Sequence, residues 1–318
     1  MIGDSAARDR SVTLRIIVGP TGAGKSSLAL QLADWRPLSI VSADSRQVYQ
    51  GFDIGTAKPT VDERQRVRHY GIDVLSATAR YSAHAWATDA ETWIRDATAH
   101  DRSAVVVGGT GFYVRALLNP LDEMPSFDAA RRDALQQWLT TQSAEEIARW
   151  CQRLDPARAH FGRTQHLRAI ETALLLGVRI SDQHVTTSGR AKASRRVARY
   201  LVVDPGPVLG ERIRLRVHAM VAAGWVDEVA QLALTIGPDA PAWQASGYGA
   251  MREHLAGVLT RDAAIERIVI ETRQYAKRQR TWFRHQLREG VVTQLNPDAP
   301  NALADALAWY DDDSGEDR

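Results

Sequence analysis

The chain has one cysteine, Cys151, among 318 residues, so it cannot form an internal disulfide. Its nine histidines show no pairing pattern, and no Cys/His cluster has the spacing of a metal site. No apolar run approaches the roughly 18 residues that a membrane span needs. The opening stretch MIGDSAARDRSV lacks the apolar core of a secretory signal. A reducing cytoplasm is the expected setting. No repeat at solenoid periods is visible. An overall excess of one charge is also missing, because 40 Lys/Arg against 38 Asp/Glu leave a net +2. That balance hides an asymmetry. Between Pro125 and Tyr200 there are 13 Lys/Arg and 7 Asp/Glu, whereas the last eight residues, DDDSGEDR, hold five acids and one base. A basic middle permits a polyanionic partner. The acidic tail is expected to be disordered.

What is present is ordinary for a globular protein, with 44% hydrophobic and 25% charged residues. Short apolar strands are expected at Leu14–Val18, Leu38–Ala43, Ala104–Val107 and Tyr200–Val203, separated by helical stretches. That alternation points to an α/β fold, a P-loop-type parallel sheet with helices on both faces. From Asn119 to Arg199 the strand pattern stops, and segments such as DAARRDALQQWL and TQHLRAIETALLL read as helices. The expected division is a core of 1–118 and 200–318 with a helical insertion at 119–199. Within the insertion, TTSGRAKASRR reads as a mobile basic loop. After the fourth strand only helices are expected. One spans Leu209–Val221 with Gly224 just past its end. A last long one starts at Thr260 as N-cap. Its Arg273, Lys277, Arg280, Arg284 and Arg288 share a face that is either solvated or turned to RNA.

Residues 19–26, GPTGAGKS, fit the phosphate-loop pattern between a strand and a helix. Gly19, Gly22 and Gly24 permit a tight turn, while Pro20, Thr21 and Ala23 complete the loop. Its N–H groups and the helix N-terminus then face an anion. Lys25 adds a point charge, and the Ser26 hydroxyl is a ligand for Mg²⁺. Ligands in such sheets sit beyond the carboxyl ends of the strands. Asp44 and Thr110 both fall at such ends. The third strand runs into Gly108-Gly109-Thr110 and brings no second carboxylate. Asp44 is left either to hold a metal or to take a proton from an acceptor. Taken alone, Asp44 and Thr110 also read as caps. Composition and spacing stop at a P-loop transferase with a basic insertion.

Further motifs go beyond that. They are DSRQVYQGFDIGTAKP (44–59), GGTGFYVRALL (108–118), ERIRLRVHAMVAAGWVDEV (211–229), QASGY (244–248) and TRQYAKRQRTWFR (272–284). With GPTGAGKS, and in this order, they resemble the tRNA dimethylallyltransferase family, also called tRNA isopentenyltransferases. The absence of the zinc-binding extension of eukaryotic relatives points to the bacterial type. The resemblance implies that residues Gly19 to Ser26 hold the diphosphate of dimethylallyl diphosphate. The acceptor it implies is N6 of the adenosine 3′ of the anticodon, in a tRNA held by its anticodon stem-loop. It makes Asp44 the base, and sets Arg216 and Thr110 at the leaving oxygen. It places Asp44, Ser45, Arg46 and Gln47 beside the adenosine, and Arg132, Gln165 and Arg168 against the RNA. In the helix TQHLRAIE, His166 or Leu167 replaces a usual basic or small residue. Arg212, one turn from Arg216, is expected to be solvated. Trp282, Phe283 and Cys151 read as core. With no exposed heptad or strand edge, a monomer is expected. Two other readings remain at this stage: a P-loop small-molecule kinase using ATP, and a non-catalytic RNA-binding protein with a vestigial loop.

Overall fold

The computed structural model describes residues 13–119, 127–182, 197–287 and 290–312. The basic loop 186–196, Arg288 and residues 313–318 lie outside them. The chain divides into two compact units, one of Met1–Leu118 with Ser194–Arg318 and one of Asn119–Ala193.

In the first unit, β1 (Thr13–Val18), β2 (Leu38–Ser42), β3 (His69–Tyr70), β4 (Ser103–Gly108), β5 (Val197–Val203) and β6 (Val291–Leu295) form one sheet in the order β3-β2-β4-β1-β5-β6. Every pairing is parallel. The four inner strands are the apolar runs seen in the sequence, buried on both faces as parallel strands must be. The edge strands carry no such signal. β3 has two residues, and β6 is mostly exposed, so the pairing of each rests on its neighbour's backbone.

The helices in chain order are α1 (Lys25–Ala33), α2 (Val61–Arg66), α3 (Ala83–Ala99), α4 (Gly111–Leu118), α5 (Ala129–Thr140), α6 (Ala144–Leu154), α7 (Arg163–Leu176), α8 (Leu209–Ala222), α9 (Trp225–Thr235), α10 (Tyr248–Leu255), α11 (Arg261–Gln286) and α12 (Ala302–Asp311). On one sheet face, Ile17, Val105 and Leu201 pack with Leu28 and Leu32 of α1 and Trp309 of α12. On the other, α3 and α4 cover the sheet. There the Trp86 indole donates to the Ser42 carbonyl at 3.0 Å and stacks on Tyr113. A further core joins Phe52, Trp225, Trp243, Tyr248 and Ile268 from the 48–54 loop and α9–α11.

Thr260 caps α11, its side chain accepting from Ala263 N–H at 3.2 Å. Two arginines of the basic α11 line hold the helix in place: Arg273 donates to the Gly210 carbonyl, and Arg280 pairs with Asp204. Phe283 is buried, and Trp282 packs edge-on against it. Two residues of the acidic tail, Asp311 and Asp312, fall among the described residues and are ion-paired. Asp311 ends α12 paired with Arg36, and Asp312 pairs with Arg199, a strand arginine only 3% exposed. Those two acids serve as partners for cations at the sheet, which a charge count cannot show.

The second unit packs α5, α6 and α7 around Leu139, Ile147, Cys151, Ala169 and Ile170. Cys151 is a fully buried free thiol, pushed above its usual range by desolvation. Ser143 and Glu146 cap α6 reciprocally.

The 44–59 segment has little regular structure, and a buried cation organises it. The Lys58 ammonium, with 1% of its side chain exposed, donates to the Tyr49 carbonyl and to Asp53 Oδ1, both at 2.6 Å, and to Asp73. Without the ammonium, the Tyr49 carbonyl loses its donor and the half-exposed Asp53 its cation, while Asp73 keeps Arg64. Lys58→Met is therefore expected to cost about 1–3 kcal/mol of stability, the range for a buried acceptor left unsatisfied, read as a lower denaturation midpoint at unchanged m-value.

Candidate active site

β1 ends where the chain must turn under β5. A Cβ on Gly19 would stand 2.1 Å from the Val203 carbonyl oxygen, so only glycine passes there. Gly22 and Gly24 adopt φ of 79° and 94°, and Gly24 leads directly into α1. Ala23 N–H closes on the Pro20 carbonyl at 3.2 Å. The Lys25 ammonium folds back to the same carbonyl at 2.8 Å. Across the loop, the Gln279 amide of α11 accepts from Thr21 N–H and donates to the Gly109 carbonyl, each at 2.8 Å. Gln279 is 6% exposed and ties the P-loop to the loop after β4. Gly109 must lack a side chain for this, because a Cβ would meet the Gln279 nitrogen at 2.3 Å.

A cavity of about 880 Å³ opens beside this loop, lined by Thr21, Gly22, Gly24, Lys25 and Ser26. Asp44, Ser45, Arg46 and Gln47 line it from the end of β2, and Arg212 and Arg216 from α8. Asp44 Oδ1 accepts from Arg46 N–H at 2.8 Å, which fixes the carboxylate at the turn. Thr110 stands just behind the lining. Its N–H reaches the Ala43 carbonyl at 3.0 Å, and its hydroxyl oxygen accepts from Ser45 N–H at 3.1 Å. Thr110 therefore fastens the loops after β2 and β4 together rather than only capping α4.

Charge in the cavity is unbalanced. Burial first, then Arg216, lowers the Lys25 pKa to about 8, with Asp44 opposing. Burial likewise lowers Arg216, again with Asp44 opposing. Among the described residues, neither cation has a carboxylate within ion-pairing distance. Arg212 differs: it pairs with Asp298 and donates to the Ala23 carbonyl at 3.4 Å. It is thus an ion-paired brace on the P-loop rather than a solvated face.

Several lining residues carried no signal of their own in the sequence. Gly55, Thr56 and Ala57 form one wall. The Gln47 amide holds it, donating to the Thr56 and Ala57 carbonyls at 3.3 and 3.0 Å and accepting from Ser42. Gln244, Ala245 and Ser246 of the QASGY motif, and Tyr275, Arg278 and Gln279 of α11, also line it, as does Glu271, which pairs with Arg267. These lay inside quoted motifs, but only the three-dimensional pairing gives them a place.

Arg132, Gln165 and Arg168 belong to the second unit. Arg132 is half-buried, 3.2 Å from Glu171, with its guanidinium over the Phe127 ring. The Gln165 side chain accepts from Arg158 at 2.6 Å. Arg168 is exposed and has no ion-pair partner among the described residues. His166 turns inward, its Nε2 3.1 Å from the Ala159 carbonyl.

The IPP transferase family model matches residues 47–286. A tRNA dimethylallyltransferase of Cyanothece sp. (strain PCC 7425) is 37% identical over 294 residues, 91% of this chain and 94% of that protein. One from Geotalea uraniireducens is 39% identical over 284 residues, 86% of this chain and 89% of that one. The tRNA delta(2)-isopentenylpyrophosphate transferase of Staphylococcus epidermidis superposes with a TM-score of 0.65 at 28% identity, covering 94% of this chain and 98% of its own. A eukaryotic dimethylallyltransferase acting on tRNA gives a TM-score of 0.71 at 25% identity, covering 96% of this chain and 77% of that one. With the family match spanning most of its length, and relatives at this identity along nearly all of it, the chain belongs to the IPP transferase family, the tRNA dimethylallyltransferases.

Proposed function

We propose that the protein transfers the dimethylallyl group of dimethylallyl diphosphate to N6 of the adenosine 3′-adjacent to the anticodon in tRNA, releasing diphosphate. One observation carries the mechanism. Two cations without carboxylate partners, Lys25 and Arg216, share a cavity with the single strand-end carboxylate, Asp44. An allylic diphosphate supplies the missing negative charge. Family membership separates this reading from the kinase and from a non-catalytic RNA binder.

The P-loop N–H groups, Lys25 and Arg216 hold the diphosphate and stabilise it as it leaves. One such donor is commonly worth about 10²–10³ in rate. The allylic C–O bond breaks and its electron pair departs on the diphosphate. The N6 lone pair forms the new bond to carbon. Asp44 takes the N6 proton, which the aromatic amine must lose to keep its ring delocalisation. Thr110 holds Ser45, and so the Asp44 turn, in place beside the leaving oxygen. Ser45, Arg46 and Gln47 border the adenosine, and the base must leave the anticodon-loop stack to enter. Arg132, Gln165 and Arg168 of the helical unit contact the RNA.

The residues present also fit a divalent cation. Among the described residues, no group of three or more His, Cys, Asp or Glu could hold a metal. Ser26 lines the cavity with an exposed hydroxyl that makes no hydrogen bond to another described residue. One protein oxygen beside a diphosphate suits Mg²⁺, which keeps its waters and binds chiefly through phosphate. Bound at Ser26, Mg²⁺ would neutralise charge on the leaving diphosphate.

Transfer of label from dimethylallyl diphosphate to unmodified tRNA tests the reading. Asp44→Ala should lower turnover by about 10²–10⁴-fold with tRNA binding retained. Near-wild-type turnover would remove Asp44 as the base, and consumption of ATP with no label in tRNA would restore the kinase.

Lys25 gives the site a pH signature. Its empty-site pKa of about 8 must rise when the diphosphate arrives. Binding without tRNA should therefore take up a proton and weaken by up to about tenfold per pH unit above that value. Calorimetry in buffers of different ionisation heat reads the uptake. In the ligand-free protein, the unfolded chain binds this proton more tightly than the folded one. Lys25 by itself thus makes folding more favourable as pH rises from about 8 towards 10.5.

Arg168→Ala should reduce the salt slope of tRNA binding by about one, with thermal stability unchanged. Arg132→Ala should also destabilise the helical unit, because it leaves Glu171 with only the Gln136 amide.

A further inference from the structure

Glu228, in the first turn of α9, takes no part in the chemistry proposed for the cavity, yet its carboxylate is fully engaged. Oε2 accepts from Asp53 N–H at 3.0 Å and Ile54 N–H at 2.7 Å. Oε1 accepts from the Tyr248 hydroxyl at 2.6 Å and, at the outer limit, from Gly55 N–H at 3.5 Å. These are four donors for the roughly four lone-pair sites of an ionised carboxylate. No neutral side chain of that size can accept them all. Three of the donors are successive backbone amides, in a stretch with no helix or strand to satisfy them.

The stretch so held runs straight into the cavity wall. Gly55 is both the third amide on Glu228 and the first wall residue. It lies against the buried Trp225 ring, where a Cβ would meet the indole nitrogen at 2.2 Å. Ala57 sits at φ 48°, a strained value for a side-chain-bearing residue, with its N–H on the Ile54 carbonyl at 2.9 Å. The Thr56 and Ala57 carbonyls take the Gln47 amide, and Gln47 lies three residues after Asp44. A continuous set of contacts thus leads from Glu228 through the 53–57 loop and Gln47 to the Asp44 turn. The P-loop is held by other means, through Gln279 and Arg212.

We infer that Glu228 is a positioning residue for the acceptor side of the reaction, fixing the 53–57 wall and through it the turn that carries Asp44. The inference rests on the transferase reading. Loss of the carboxylate should therefore damage use of tRNA and leave the diphosphate site intact.

The test compares Glu228→Gln and Tyr248→Phe with the wild type. In Glu228→Gln, hydrogen exchange at the amides of Asp53, Ile54 and Gly55 should accelerate by at least about tenfold. Affinity for inorganic diphosphate should stay within about twofold, since no P-loop contact changes. The kcat/KM for tRNA should fall by about 10- to 100-fold, the usual effect of a small misplacement of reacting groups. Tyr248→Phe removes one of the four donors and should act in the same direction but less. The double variant should be no worse than Glu228→Gln alone, because the hydroxyl acts through the carboxylate. Unchanged kcat/KM for tRNA overturns the inference. So does a parallel loss of diphosphate affinity and thermal stability with kcat intact, the mark of a merely structural role. If the wild type does not prenylate tRNA, the transferase reading fails. Faster exchange at 53–55 with unchanged diphosphate affinity then still supports the positioning claim, and unchanged exchange overturns it.

Discussion

Uncompensated positive charge at the P-loop is the constraint that the core unit is built to hold. Lys25 and Arg216 lie close enough for the second to weaken the first's grip on its proton, and burial denies both a full water shell. Left to relax, such side chains would move apart or towards solvent. They are retained because the framework around them is over-determined. Arg212 pairs outward with Asp298 while touching the loop, and Gln279 pins the loop at Thr21. The parallel sheet contributes by ending β1, β2 and β4 at one edge, where their loops meet. Donors and cations fixed in advance in this way suit an anion, which is what the proposed diphosphate would supply.

The two ends of the cavity follow different logics. At the P-loop end, backbone N–H groups and cations make an electropositive surface, which suits the proposed diphosphate. Around Asp44 the surface is made of loops held by hydrogen bonds, and use of the proposed acceptor would depend on placement. Small residues recur there because neighbouring groups come close. Gly55 on Trp225, Gly108 against the Ala43 carbonyl and Gly109 against Gln279 each allow an approach that any side chain would block.

Legibility of the fold and site in the sequence tracked the physics of each element. The four inner strands were readable because burial on both faces forces an apolar run. β3 and β6 were not, because edge pairing makes no such demand on side chains. Lys25 and Asp44 could be placed because strand-end loops bring such residues to one edge. Arg216 followed only from the resemblance, and geometry then separated it from Arg212 by giving the latter Asp298. Gln279, Glu228 and Lys58 were silent. A glutamine or glutamate on a helix looks like any solvated residue until its backbone partners are known. A lysine in a Gly-rich turn looks exposed. The tail acids Asp311 and Asp312 misled for the converse reason, since the sequence does not reveal the arginines waiting for them.

Gln279 is a single side chain bonded to the first and third loops of the site, and 258 positions separate it from Thr21. The ribosome makes the P-loop long before its staple. A nascent chain that has already built β1, β2 and β4 still lacks the amide that sets their loops at a common distance. The common setting of these loops is therefore not local to the P-loop but is completed only when α11 docks, so a chain made no further than β4 cannot yet hold them at that distance.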